Sequence, residues 1–205
     1  MNGLIWKDVV LLKSALLYIA VFGIVFSLLF SESNVMGIVC PMLFSSLVSS
    51  SFAWDDQCKW DQFAVSAGIG RRSIVIAKFE SSLIFVTIGA VLGFVVSVAM
   101  QTINGTGYGL ESIAVVSVTG WVLGLIVVSI SILVNYWTGS SVKAQYVSII
   151  VLMASIAFLV STTMIASDIL GGNMLAVTAV LIVVMLVIMA ASYKASCSRF
   201  EARDL

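Results

Sequence analysis

The sequence predicts an all-α, polytopic membrane protein with six transmembrane helices and both termini in the cytoplasm. Three observations carry that expectation. The chain is 61% hydrophobic and 10% charged over 205 residues, far more apolar than a soluble domain. It contains apolar runs at Leu16 to Phe30, Val35 to Ala53, Phe79 to Met100, Ile113 to Val134, Tyr146 to Ala166 and Met174 to Ser192. Each is close to the ~20 residues that a helix rising ~1.5 Å per residue needs to cross ~30 Å of hydrocarbon. Finally, every Lys and Arg falls at the N-terminus, between the second and third runs, between the fourth and fifth, or after the sixth. The remaining connections carry only Glu32, Glu111 and Asp168. By the positive-inside bias, the basic segments face the cytoplasm.

Residues 1–14 read as an interfacial segment ahead of the first span. Its apolar segregation is imperfect, because Asp8 projects among Leu4, Leu11 and Leu12. Lys7 and Lys13 followed by an apolar run imitate a signal peptide, but removing the first helix would spoil the charge bias, so it is retained as a span. In the second run Pro41, the only proline, lacks a backbone donor and predicts a kink. Gly89 with Gly93, and Gly120 with Gly124, give the third and fourth helices a Gly-x-x-x-Gly face suited to close helix packing or to dimerisation. Ser45, Ser46, Ser49 and Ser50, Ser117, Thr119, Ser129 and Ser131, and the hydroxyls of the fifth run read as packing groups or as a weakly polar lining. The Asn104, Gly105, Thr106 sequon reads as a turn, and Cys40, Cys58 and Cys197 as free thiols.

No ionisable group is expected at hydrocarbon depth, and the chain has no His. That argues against an ion-coupled carrier, which needs a buried ionisable group for its ion. It argues equally against an intramembrane enzyme, which needs a metal-ligand cluster or a nucleophile beside a base. No Gly-x-x-x-x-Gly-Lys-Ser/Thr phosphate loop occurs, so this chain does not cradle ATP by that route and no cofactor is expected on it. Nothing in the charge pattern points to nucleic acid.

The informative connection is the cytoplasmic loop 54–78. Trp60, Phe63 and Ala67 are spaced three and four apart, with Asp55, Asp56 and Asp61 toward the N-terminal end, where the helix dipole favours acids. Gly68 and Gly70 would end a short amphipathic helix, and Ser73 could begin the next one. Spacing alone leaves two uses open: a lipid anchor, or a knob for a soluble partner.

The aromatic pair Trp60 and Phe63, then Ser66, then Arg71, Arg72, Ile74, Val75, Ala77 and Lys78, resembles the signature loop of the ABC-2 family of transporter permeases. The N-terminal Leu4, Lys7, Asp8 and Leu11 resemble that family's surface segment before the first span. The subgroup resembled includes bacterial permeases that export toxic or amphipathic peptides. Where the family has Leu-Pro, this chain has Ala67 and Gly68, which leaves the end of the helix less constrained.

The resemblance implies a single permease domain over 1–205, with 54–78 as coupling loop, in the bacterial cytoplasmic membrane. It implies a separate ATP-binding-cassette ATPase that carries ATP and Mg and docks on Trp60, Phe63, Arg71 and Arg72. It also implies a second permease copy or paralogue, and export of a hydrophobic or amphipathic cargo such as a peptide. Lys78 would anchor the third helix at the interface by snorkelling. The alternative is an ATP-independent secondary carrier or a membrane assembly factor; the carrier predicts an inverted repeat that the halves do not show.

Overall fold

The computed structural model describes residues 2–29, 36–104, 109–138, 146, 150, 153 and 174–202. All described elements are helical: α1 (Asn2–Leu29), α2 (Met36–Gln57), α3 (Trp60–Ser66), α4 (Arg71–Asn104), α5 (Leu110–Thr138) and α6 (Met174–Glu201). Among the described residues, four helices are long and apolar enough to cross a membrane: α2, α4, α5 and α6. The first expected run, as far as Leu29, lies inside α1, which continues unbroken through the segment expected to lie apart at the interface. Most of the fifth expected run, with Lys143 beside it, lies outside the described residues.

Helices α2, α4 and α5 pack on one another at the centre, α6 lies against α5 and α4, and α1 lies against α2 and α4. In a bilayer, water does not drive this association, so helices gain most where small residues let backbones close together. The glycines do that here. A side chain at Gly120 of α5 would overlap the Gly37 carbonyl oxygen of α2 and come within 2.7 Å of Ile38 Cα. A Cβ at Gly93 of α4 would lie 2.7 Å from the Met36 carbonyl, and one at Gly89 2.8 Å from Phe44 Cβ. Both Gly-x-x-x-Gly faces are therefore filled within the chain, by α2 and, at Gly124, also by Val86 of α4. Pro41 sits inside α2 without ending it; the ring removes the amide that would bond the Gly37 carbonyl, the same carbonyl that Gly120 approaches.

Hydroxyls complete the seams. Ser49 of α2 bonds Ser131 of α5 at 2.9 Å, Thr119 of α5 bonds Thr178 of α6 at 2.9 Å, and Ser192 of α6 donates to the Ser129 carbonyl of α5. These side chains act as packing groups between helices. The outward faces of α4 and α6 instead present Ile84, Ile88, Val91, Val95, Val180, Val183 and Val187, as surfaces against lipid tails do.

The two ends of the bundle differ. The start of α1, the end of α2, the start of α4 and the ends of α5 and α6 converge, joined by Phe52 on Tyr136 (ring centroids 5.3 Å) and Tyr136 on Phe200 (5.1 Å). Trp6, Trp54 and Trp137 are exposed at this end, and the Arg199 guanidinium stacks 3.9 Å from the Trp137 ring centre. Amphipathic rings beside cations mark a membrane–water interface. At ~1.5 Å per residue the 34 residues of α4 reach about 51 Å, more than the ~30 Å of hydrocarbon requires.

Candidate functional site

Helix α3 sits at this basic end and is built by two different turns. After α2, Lys59 adopts a left-handed conformation (φ 50°), and its carbonyl accepts the Phe63 amide at 3.2 Å. At the other end Gly68 (φ 81°) closes the helix: its amide bonds the Val65 carbonyl, and the Ile69 amide the Ala64 carbonyl, both at 3.0 Å. That pairing is a Schellman motif, with Gly in the position where a side chain would strain. The Ala67–Gly68 replacement of Leu-Pro thus yields a defined stop at Ser66. Gly70 then serves as the start signal for α4, accepting the Ser73 and Ile74 amides at 2.9 and 3.3 Å; Ser73, the expected start, lies two residues inside.

The faces of α3 divide differently from the expected aromatic face. Ala64 is fully buried, with Trp60, Val65 and Ile69 packed around it against the core. Phe63 is 60% exposed and Ala67 is exposed. Trp60 and Phe63 remain neighbours, ring centroids 5.6 Å apart, but one turns inward and the other outward.

Beneath α3 lies a buried ionic cluster. The Lys78 ammonium of α4 meets Asp55 Oδ2 of α2 at 2.6 Å, Asp8 Oδ1 and Oδ2 of α1 at 3.1 and 3.2 Å, and the Ser51 hydroxyl. Asp8 also accepts bonds from Ser51 and Ser81, each at 3.1 Å. Lys7 completes it, 2.5 Å from Asp55 Oδ1 and 3.3 Å from Asp8 Oδ1, with its ammonium 4.6 Å over the Trp60 ring. Two cations balance two anions, which a buried ion pair requires; the Ser51 and Ser81 hydroxyls add bonds to Asp8, whereas Asp55 is held by the two lysines. Asp8 precedes the apolar run that begins at Leu16. Burial opposes its charge, but Lys78, Lys7 and the Ser51 hydroxyl outweigh that and hold the carboxyl below its usual value.

Lys78 therefore does not reach outward: it is 4% exposed and points into the bundle. The four charged residues of the cluster lie just outside the expected runs, so the expectation of spans free of ionisable groups fails at the half-buried Glu80, near the start of the third run. Sequence reasoning missed Lys7, Asp8, Asp55, Ser51 and Ser81 as one group. The signals were present: Asp8 among leucines, Ser51 and Asp55 four apart, and Lys78 and Ser81 three apart, each pair on one helical face.

The paired arginines are held by α6. Arg71 donates to the Glu201 and Phe200 carbonyls at 2.6 and 3.3 Å, and Arg72 Nε to Glu201 Oε1 at 2.5 Å. Arg71 thereby caps carbonyls that the end of a helix leaves without partners, and the cations sit where the α6 dipole is negative. Among the described residues no group of three or more His, Cys, Asp and Glu is placed to hold a metal.

The basic end, the apolar helices and the short helix between α2 and α4 now stand as one architecture. No curated protein and no solved structure gives a match to the chain. A family model described as ABC-2 family transporter protein matches residues 3–201, nearly the whole chain, and the chain belongs to that family, whose members are multi-pass membrane subunits of transporters.

Proposed function

We propose that the chain is the membrane-spanning permease subunit of an ATP-binding-cassette exporter in a bacterial cytoplasmic membrane, with its basic end in the cytoplasm. A separate ATPase, carrying ATP and Mg, docks on α3. The observation that carries this reading is the division of that helix: Trp60, Ala64 and Val65 fasten it to the bundle while Phe63 is turned out. An exposed aromatic with cations at its rim is what interface centres use. Lys59 is exposed beside it, and the Arg72 side chain is 71% exposed at the start of α4. Phe63 is then the anchor, Arg72 the rim, and Trp60 and Arg71 shape the surface from behind.

A second permease copy or paralogue completes the transporter. Because the hydroxyls between α2, α5 and α6 are spent on one another, the cargo path lies between copies, and its apolar walls suit a hydrophobic or amphipathic cargo such as a peptide. The test is purification of the tagged chain in mild detergent, mass spectrometry of what accompanies it, and ATP hydrolysis by the eluate. A stoichiometric ATPase that is lost with Phe63→Glu, while the variant still inserts, is the expected result. A permease band without ATPase in several detergents overturns the reading and favours an ATP-independent carrier or an assembly factor.

A further inference from the structure

We propose that Lys7 is a positioning residue that locks the docking helix α3 to the buried ion pairs, so that movement of α3 is passed to α1 and α4 together. This rests on the permease reading of α3. Three contacts of one ammonium carry it: Asp55 at 2.5 Å, Asp8 at 3.3 Å, and the face of Trp60 at 4.6 Å. The first belongs to α2, the second to α1 and the third to α3. Asp8 and Asp55 both hold Lys78, seven residues into α4. A push on α3 therefore reaches Lys7 through Trp60, and Lys7 is tied to every helix that meets at this end except α5 and α6.

The packing of α3 makes this link matter. Its backbone lies chiefly against α2, and Gln62, Phe63 and Ser66 are exposed on its outer side, so apolar contact fastens one side only. An ammonium over an aromatic face is directional and strengthens when desolvated; the Lys7 side chain is 20% exposed. Shifting Trp60 from beneath it would leave the cation against two carboxylates in a different geometry, and the buried charges resist such a change because their alternative is unpaired burial. The cluster is thus stiff where the helix end alone would be soft.

Two single-cysteine chains, each in a Cys40→Ala, Cys197→Ser background, test this. One keeps the exposed Cys58, which lies two residues before the start of α3 and takes a spin label. The other has Cys58→Ser with Thr102→Cys, an exposed position near the far end of α4. Each is purified with its ATPase and examined with and without ATP and vanadate. Lys7→Met, the neutral double variant Lys7→Met with Asp55→Asn, and Lys7→Arg are compared with the parent.

The expected result is a more mobile Cys58 label and loss of most of the nucleotide-dependent change at position 102 in both Lys7→Met chains. The ATPase still co-purifies, and Lys7→Arg restores both signals. The double variant leaves one cation and one anion buried, so its failure to respond is not simply misfolding. An unchanged Cys58 label, or a full response at position 102 in the double variant, overturns the proposal. A parent chain that holds no ATPase overturns the permease reading instead, and the coupling role with it.

Discussion

Two ionic clusters stand at the same end of this bundle, and they differ in almost everything except the charges involved. Lys78, Asp8 and Asp55 have side chains 3–7% exposed, whereas Arg72 and Glu201 are 71% and 42% exposed. The inner cluster joins three helices that are distant in sequence; the outer one joins the beginning of α4 to the end of α6. Charges removed from water are costly unless fully paired, so the inner group constrains which helices can meet. The outer pair is screened by salt and water, and contributes little to holding the fold. Arg72 is consequently free to be surface, and the inner lysine is not.

The sharpest way to break that contrast is Lys78→Met, which leaves Asp8 and Asp55 facing one remaining cation. A loss of about 3–5 kcal/mol is expected, read as a fall in the thermal midpoint of the detergent-solubilised protein. Adding Asp8→Leu to that variant restores neutrality, with Lys7 and Asp55 left as a pair. Most of the loss should return, because an ion pair replaced by apolar groups is often nearly neutral. If the double variant melts no higher than Lys78→Met, unbalanced charge is not the source of the damage.

A steric lesion separates charge from packing. Gly120→Ala drives a Cβ against the α2 backbone at Gly37 and Ile38, which cannot move aside as a flexible side chain would. About 1–3 kcal/mol should be lost, and the same loss should be found at low and high salt. The smallest effect belongs to Arg72→Ala. Its thermal midpoint should stay close to the parent, with any difference vanishing at about 0.5 M salt. A loss comparable to Lys78→Met would mean that the clasp on α6 is as structural as the buried cluster.

Local pattern explains what could be foreseen. Run length and charge placement give an all-helical membrane protein because the bilayer imposes length and electrostatics on each segment separately. The spacing of Trp60, Phe63 and Ala67, followed by Gly68, predicts a short helix with a glycine stop, and α3 is that helix. The single aromatic face expected of Trp60, Phe63 and Ala67 is divided, with Trp60 turned inward beside Ala64 and the other two outward, because packing against the bundle decides which side is covered.

By itself, then, the sequence determined the helical class, the basic end and the position of the short helix between α2 and α4, all properties of contiguous residues. Tertiary structure alone decided that Asp8 and Lys78, 70 residues apart, meet inside the bundle. It also decided that the glycine faces are consumed within one chain and that Arg71 and Arg72 reach α6. The physical reason is that a charge or a glycine states only what it needs, a counter-charge or a close backbone, while the helix that supplies it is chosen by how the whole bundle packs.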